Sequence, residues 1–268
     1  MPGRAAWLER DLPLPRLTTH VRELPSGGPA LLLLHGLGVD GTIWQAIGRR
    51  LTPAFSLLAP DLRGHGLSEH PIAGYQAADY ATDIAELLER LAADYGTLHL
   101  LGHSLGALAA LGGAALNPTA VQRLVLEDPP LGGPGPLGPY LRAVLASKHE
   151  SPADLLQTVL RFQPELGELV GNIQAAMWER TADAALQEII NAPKTVFDVN
   201  GWLEDVAAST LLMAADPALD ARLQPAEATA ALKSLRDGRL VDFPGTGHII
   251  HGQQPASFCR LVAEFLTS

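Results

Sequence analysis

The sequence contains very little cysteine and has a deficit of basic residues. Cys259 is the single cysteine among 268 residues, so an internal disulfide and a cysteine-rich zinc module are both excluded. Lysine and arginine total 19 against 29 for aspartate and glutamate, which gives a formal net charge of −10. A surface with this charge repels phosphate groups, so we expect neither a nucleic acid nor a membrane surface as a partner.

The chain also lacks an apolar segment that suits a secretory signal or a membrane span. Charged residues at Arg4, Glu9, Arg10 and Asp11 interrupt the N-terminal region, where a signal peptide needs an apolar core. One long uncharged segment, 96–122, contains histidine, proline and several glycines, and we interpret it as a strand, a tight turn and a helix. We expect a cytoplasmic protein that is either a monomer or a homodimer.

Short aliphatic runs alternate with helical patterns along most of the chain. Hydrophobic residues make up 47% of the sequence, enough for the core of one large domain. Continuous apolar runs bounded by glycine, proline or aspartate are typical of strands that are buried on both faces of a parallel sheet. The sequence therefore predicts an α/β fold with a mostly parallel central sheet flanked by helices. The predicted strands are 30–34, 55–59, 98–101, 121–126, 211–214 and 240–243, with an antiparallel edge strand near 18–24.

The alternation is interrupted once, between residues 131 and 208. This segment opens with a hinge rich in glycine and proline at 131–139 and continues with helical patterns only. We predict a helical cap, residues 131–208, inserted into a core formed by 1–130 and 209–268. Because ligands of open α/β sheets bind beyond the carboxyl ends of the strands, the cap would shape the substrate pocket. Its candidate pocket residues are Trp178, Phe162 and Met177, whose alternative role is to form the core of the cap itself.

The most specific motif is Gly102-His103-Ser104-Leu105-Gly106, which lies between a predicted strand and an alanine-rich helix. A sharp turn from strand to helix needs small neighbours, and the two glycines let the backbone pass closely while the serine side chain is held clear of the sheet. The helix that follows directs its N–H groups towards the same place, which favours an anion there. We predict that Ser104 is a nucleophile. The alternative is a structural turn with an incidental serine.

A serine near neutral pH needs a base and an oxyanion site before it can attack a carbonyl group. His248 follows the last predicted strand and therefore reaches the same edge of the sheet as the serine. His251, three residues later, is the alternative base. A glycine-flanked loop after the first buried strand supplies the backbone N–H of Leu37, and the N–H of Leu105 follows the serine. These two groups are the predicted oxyanion donors.

In their order along the chain, these motifs resemble the α/β-hydrolase superfamily. The resemblance covers the loop His35-Gly36-Leu37-Gly38, the turn 102–106 around Ser104, which we call the elbow, and His248 near the end of the chain. It extends to the segment Asp61-Leu62-Arg63-Gly64-His65-Gly66-Leu67-Ser68. It implies an α/β-hydrolase fold with a helical cap and a serine nucleophile of the esterase or lactonase type. In such proteins the polar residues of the second motif usually tie loops together. Dehalogenases and epoxide hydrolases carry aspartate at the elbow, so the serine argues against both activities.

In this family an acidic residue completes a catalytic triad with the serine and the histidine. This acid is the least defined residue of the predicted site. Family members usually place it after the seventh strand, but the corresponding segment 214–220 departs from the expected Gly-Glu-x-Asp pattern. Other serine members, among them lactonases that open zearalenone, place it after the strand that follows the elbow helix, which corresponds to Asp128. We prefer Asp128, since a carboxylate beside that strand end would fix the tautomer of the histidine. Asp216, Glu127 and Asp220 remain alternatives.

These motifs predict acyl transfer to Ser104 from a small or medium ester or lactone with an apolar body. One alternative is hydrolytic C–C cleavage of a ring-opening product, which would require a cation for the substrate carboxylate. Another is a receptor-like relative that captures a ligand and moves its cap. No dinucleotide, phosphate-loop or helical metal-binding motif is present, so neither a cofactor nor a metal is expected. The candidate cations for the substrate carboxylate in the C–C cleavage alternative are Arg142, Arg161, Arg180 and Lys194.

Overall fold

The computed structural model describes residues 6–133, 135, 137–191 and 199–268. Its centre is an eight-stranded sheet with the strand order β1-β2-β4-β3-β5-β6-β7-β8. In chain order the strands are β1 (Leu8–Pro13), β2 (Thr18–Leu24), β3 (Ala30–Leu34), β4 (Ser56–Pro60), β5 (Leu98–His103), β6 (Val121–Glu127), β7 (Ser209–Ala214) and β8 (Gly238–Asp242).

Parallel pairing prevails in this sheet. β1 and β2 pair antiparallel with each other, and β2 pairs antiparallel with β4. All other neighbouring strands, from β4 across to β8, pair in parallel. The α/β class with a mostly parallel sheet is therefore confirmed. Since parallel strands end at a common edge, the segments that follow β3, β5, β6, β7 and β8 meet there, and the predicted catalytic residues lie in those segments.

Helices cover both faces of the sheet. In chain order they are α1 (Gln45–Leu51), α2 (Ala77–Tyr95), α3 (Leu105–Leu116), α4 (Gly138–Ser147), α5 (Pro152–Phe162), α6 (Gly167–Glu179), α7 (Asp183–Asn191), α8 (Asn200–Asp205), α9 (Pro225–Ser234), α10 (Ile250–Gln253) and α11 (Pro255–Thr267). Strand β3 shows how the faces divide: Leu32 and Leu34 pack with α2 and α3, whereas Leu31 and Leu33 pack with α1 and α11. Both faces of a central strand are therefore apolar, and each buried leucine contributes about 1.5–3 kcal/mol.

The described part of the segment between β6 and β7 contains helices and no strand. Buried side chains from α4 to α7 join the core that lies on the α2 and α3 face of the sheet. Among them are Val144, Leu155, Val159, Trp178 and Leu186, each at most 3% exposed. The helical segment therefore packs directly on the sheet core, next to the edge at which the strands end. We call α4 to α8 the inserted helices.

Two differences from the predicted pattern have simple causes. The sequence does not predict β1, because this edge strand contains three charged residues and ends in proline, and most of its residues face solvent. Phe55 precedes β4 and packs in the core instead of forming part of the strand.

Within the described residues, no helix combines the length and the apolar character needed to cross a membrane.

Candidate active site

Ser104 lies in a strained turn between β5 and α3. Its backbone has φ 54° and ψ −118°, a conformation that residues with a side chain rarely adopt. The neighbouring glycines permit it, since a Cβ at Gly102 would lie 2.2 Å from the carbonyl oxygen of Gly106. A Cβ at Gly106 would in turn lie 2.3 Å from the carbonyl oxygen of Leu34. The serine lines an open cavity, and no hydrogen bond to the described residues engages its hydroxyl group.

His248 and Asp128 form a hydrogen-bonded pair beside this turn. Asp128 follows β6, His248 follows β8, and Nδ1 of His248 lies 2.6 Å from Oδ2 of Asp128. The aspartate is fully buried. Its carboxylate also accepts the N–H groups of Arg222 at 2.8 Å, Leu223 at 3.1 Å and Ala215 at 3.3 Å. The carboxylate is thus held in place to accept Nδ1–H of the histidine, which leaves Nε2 able to accept a proton.

The alternative acids at the end of β7 have other partners. Asp216 accepts the N–H groups of Gly245 at 2.7 Å and Ala218 at 2.9 Å. These hydrogen bonds lower the pKa of Asp216, and they tie two loops together without reaching the imidazole of His248. Asp220 accepts the backbone N–H of His248 at 2.7 Å. Asp220 therefore positions the main chain of the base, whereas Asp128 contacts its ring.

A second acid–base pair is buried next to the first. Glu127 accepts the backbone N–H of His251 at 2.8 Å, and its carboxylate lies 2.9 Å from Nδ1 of the same histidine. The ring of His103 lies between the two pairs, with its centroid 4.6 Å from that of His248 and 5.2 Å from that of His251. Burial and the two neighbouring histidines hold the pKa of His103 well below its usual range, so this ring is neutral. Its Nε2–H donates to the carbonyl oxygen of His248 at 3.2 Å.

Leu37 and Leu105 line a small recess together with Ser104. Leu105 is the first residue of α3, so its N–H has no acceptor within the helix and is free for an oxyanion. The loop that carries Leu37 is fixed by His35, whose Nε2 accepts the N–H of Leu62 at 2.9 Å and whose Nδ1–H donates to the carbonyl of Gly36 at 2.7 Å. This pattern requires a neutral imidazole, and burial lowers the pKa of His35 accordingly.

The same loop is held from the other side by helix α6. Gln174 donates its side-chain N–H to the carbonyl oxygen of Gly38 at 2.8 Å. The indole ring of Trp178 lies so close that a Cβ at Gly38 would be 2.2 Å from it, and the φ of Gly38 is +74°. Arg180 forms an ion pair with the buried carboxylate of Asp40 at 2.7 Å. The inserted helices therefore contact the backbone that carries one predicted oxyanion donor.

A cavity of about 610 Å³ opens between the inserted helices and the sheet edge. Ser104 and His248 both line it. Three aromatic residues of the inserted helices line the same cavity, namely Tyr140, Phe162 and Trp178. The indole N–H of Trp178 donates to the phenol oxygen of Tyr140 at 2.9 Å, and the ring of Tyr140 packs against that of Phe162. The volume lies within the range of small-molecule sites, and the lining combines a largely apolar wall with a few converging polar groups.

The comparison with protein families agrees with this geometry. The family model described as "Alpha/beta hydrolase family" matches residues 31–261, which is most of the chain. The chain belongs to the α/β-hydrolase family. The resemblance drawn from the elbow, the glycine loop and the late histidine is therefore confirmed at the level of the superfamily.

Three similar hydrolases illustrate the range of this family. A 2-(acetamidomethylene)succinate hydrolase from Mesorhizobium japonicum is 30% identical over 283 aligned positions, which cover 97% of this chain and 95% of the relative. The structure of an N-formylmaleamic acid deformylase from Pseudomonas putida S16 has a TM-score of 0.82 at 20% identity, with 96% of this chain and 100% of that chain covered. A hydrolase from Pseudomonas aeruginosa has a TM-score of 0.79 at 27% identity, with 97% and 98% covered.

The cavity of the present protein differs in part from the pocket that its sequence predicts. Trp178 and Phe162 line the cavity, but Met177 is buried elsewhere in α6 and is absent from the lining. Adjacent positions on a helix face different directions, so Met177 and Trp178 could not both line one wall. Several polar lining residues were not predicted, among them Gln174 and Arg222. The sequence pattern does not predict that Gln174 or Arg222 lies at the cavity, because each reaches it only through the packing of segments that are distant in sequence.

The three predicted cations that the structure describes do not lie at the site. Arg180 pairs with Asp40, Arg161 stacks on the ring of Phe162, and Arg142 is exposed on α4. None of these three lines the cavity. Lys194 lies outside the described residues. Among the described residues, the arginine that lines the cavity is Arg222, which belongs to the loop after β7.

Proposed function

We propose that the protein is a serine hydrolase that cleaves a small or medium carboxylic ester or lactone through an acyl-enzyme. The observation that carries this proposal is the 2.6 Å contact between His248 and the fully buried Asp128. His248 lines the cavity that also contains the strained Ser104. A nucleophile, an orienting acid and a base at the ends of β5, β6 and β8 form the arrangement that acyl transfer requires.

The proposed reaction begins with attack of Ser104 Oγ on the carbonyl carbon of the substrate. Nε2 of His248 takes the hydroxyl proton as the new C–O bond forms, and the imidazolium is stabilised by Asp128. The tetrahedral intermediate collapses, and the same proton passes from His248 to the departing alcohol. Water then attacks the acyl-enzyme with His248 again as the base, which releases the carboxylic acid and restores the serine.

The negative charge of the tetrahedral intermediate needs donors that are in place before the reaction. We assign this role to the backbone N–H groups of Leu37 and Leu105, which border the recess containing Ser104. In enzymes of this type a single oxyanion donor is worth about 10²- to 10³-fold in rate. The contacts from His35 and from α6 to the Leu37 loop therefore support the rate indirectly, because they hold that donor in position.

A second candidate is hydrolysis of a carboxylate-bearing product of ring cleavage, at a C–C bond or at an amide. The relative that is 30% identical along nearly the whole chain is named for a substituted succinate that carries an acetamido group. Ser104, His248 and Asp128 would play the same parts in that reaction. A receptor-like role would instead give a stable adduct and slow turnover, so multiple turnovers of either substrate class would exclude it.

The test is steady-state turnover of p-nitrophenyl butyrate and of a medium-ring lactone by the wild type and by Ser104→Ala. We expect the wild type to turn over at least one of them and the variant to lose the activity while keeping the same melting temperature. Ser234→Ala, at the end of α9 and away from the cavity, is the matched control and should behave as the wild type. Equal rates for the wild type and Ser104→Ala would refute the assignment.

A further inference from the structure

Arg222 occupies an unusual position in the site. Its backbone N–H donates to the carboxylate oxygen of Asp128 that also contacts His248. One oxygen atom thus connects the main chain of Arg222 to the proposed catalytic base. Arg222 is half-buried and lines the main cavity and also the recess shared by Ser104, Leu37 and Leu105. A positively charged residue therefore borders the same space as the proposed nucleophile and the oxyanion donors.

The guanidinium group of Arg222 has no carboxylate partner among the described residues. Two buried arginines show the contrast, because Arg22 is paired with Asp61 and Arg63 with Asp83. Arg180 is likewise paired, with Asp40. Removing an arginine from water without a counter-ion is unfavourable, so proteins pair such groups or reserve them for a ligand.

The two acidic side chains that line the same cavity do not supply the missing partner. Asp220 is engaged by the backbone N–H of His248. Glu165 is exposed on the inserted helices. The guanidinium lies near the backbone of Gly135, since its Nη1 is 3.2 Å from the position that a Cβ would take there. Because Arg222 lines the cavity and has no carboxylate partner among the described residues, its charge is available to an anion held there.

The recess limits the size of the group that Arg222 can receive. Its volume is about 30 Å³, room for about one or two water molecules. The oxyanion of the intermediate takes part of this space, so a carboxylate bound by Arg222 extends into the main cavity, which Arg222 also lines. Apolar side chains of Leu37, Pro130, Leu137 and Ile189 form the rest of the wall of the recess. A planar guanidinium in a small, mainly apolar recess binds a carboxylate with two parallel hydrogen bonds.

We propose that Arg222 anchors a carboxylate of the substrate, and that the preferred substrates are half-esters or half-amides of short dicarboxylic acids. The inference rests on the proposed function in taking the carbonyl carbon next to Ser104 as the reacting centre. Because Arg222 and Ser104 border one recess, only a short chain can separate the carboxylate from that carbonyl group. The role is one of binding and orientation, and Arg222 takes no proton in the reaction.

Binding to the Ser104→Ala protein tests the anchor without requiring turnover. The probes are monoethyl succinate and ethyl butyrate, which differ in having a carboxylate or a methyl group at the far end. We expect an NMR titration to show tighter binding of monoethyl succinate. Adding Arg222→Gln should weaken that binding about 10- to 100-fold, the range of a charge-assisted hydrogen-bonded pair. Binding of ethyl butyrate should change less than twofold. Arg222→Lys, which keeps the charge without the fork, should fall between.

The exposed Arg236 provides the matched control, since Arg236→Gln removes the same charge without touching the cavity. It should leave both affinities unchanged. The anchor is refuted if Arg222→Gln and Arg236→Gln behave alike, or if the Ser104→Ala protein binds neither monoethyl succinate nor its malonate and glutarate homologues. A wild type that binds the half-esters through Arg222 but hydrolyses none would contradict the proposed function and leave the anchor standing.

Discussion

The side-chain amide of Gln174 on helix α6 donates a 2.8 Å hydrogen bond to the carbonyl oxygen of Gly38. Gly38 follows Leu37, the proposed oxyanion donor, in the loop after β3. A residue of the inserted helices thereby holds the loop that carries this proposed donor. This contact links two regions that are 136 residues apart in sequence, and it gives the inserted helices a role beyond covering the cavity.

Gln174→Met tests this link, because methionine keeps most of the side-chain volume and removes the hydrogen bond. We expect kcat for an ester substrate to fall about 10-fold with a smaller change in KM, since a loosened donor weakens transition-state binding most. Asn172→Ala is the control on the same helix: its amide donates only to the Glu168 carbonyl within α6. A loss of equal size in the two variants would assign the effect to the helix as a whole.

Asp128→Asn should lower kcat by about 10³- to 10⁴-fold, because an amide can present its N–H to Nδ1 and stabilise the wrong tautomer. Asp216→Asn should cost less than about tenfold, since Asp216 holds Gly245 and Ala218 and makes no hydrogen bond to the imidazole. The measurement is steady-state hydrolysis of one ester, with melting temperatures to detect unfolding. The reverse ranking of the two variants would transfer the role of the acid to Asp216.

Gly102→Ala should destabilise the fold by about 3 kcal/mol or more, because the added Cβ would lie 2.2 Å from a backbone oxygen of Gly106 that cannot rotate away. Gly201→Ala is the control: position 201 lies in α8, and an added Cβ would have no described neighbour within 4 Å. That change should leave stability equal or raise it by up to about 1 kcal/mol. Urea unfolding measures both, and a Gly102→Ala protein of unchanged stability would show that the elbow can relax.

Acidification should destabilise the protein through its buried histidines. Burial, with help from Arg123, lowers the pKa of His99 to about 4. Between pH 6.5 and about 4 the unfolded chain therefore binds a proton at this position that the folded chain does not, and stability falls as the pH falls. Above pH 6.5 neither state is protonated, so the contribution to pH dependence vanishes.

His99→Gln should therefore flatten the decline in the free energy of unfolding between pH 6.5 and 4. Burial lowers the pKa of His65 to about 3, so part of the decline should remain. The stability difference between the two proteins at pH 8 measures the packing effect of the substitution alone. Parallel curves over the whole range would mean that the imidazole of His99 is accessible to protons in the folded state.

Much of this architecture follows from local sequence. Strand β3 is a continuous apolar run, and the elbow is defined by glycines on both sides of Ser104. The order of the motifs then indicates the family, and the family model confirms it. The sequence does not predict α1 or α8, which are short and lack a clear apolar stripe.

The features that could not be predicted depend on contacts between distant segments. Arg222 is one of 19 basic residues in the sequence, and only the course of the loop after β7 brings it to the recess. Gln174 and Tyr140 reach the cavity through the packing of the inserted helices. The choice among four acids likewise depends on which carboxylate the loop after β8 brings to the ring of His248. The positions of these residues in the sequence do not show how far they lie from the cavity or from His248 in the folded chain.

The most direct test of the central claim is covalent labelling with a fluorophosphonate, followed by mass-spectrometric mapping of the modified peptide. The probe reacts with serines that an adjacent base activates. We predict a single adduct on Ser104 in the wild type, strongly slowed labelling in His248→Ala, and none in Ser104→Ala. An adduct on another residue, or equal labelling of the wild type and His248→Ala, would contradict the proposed mechanism.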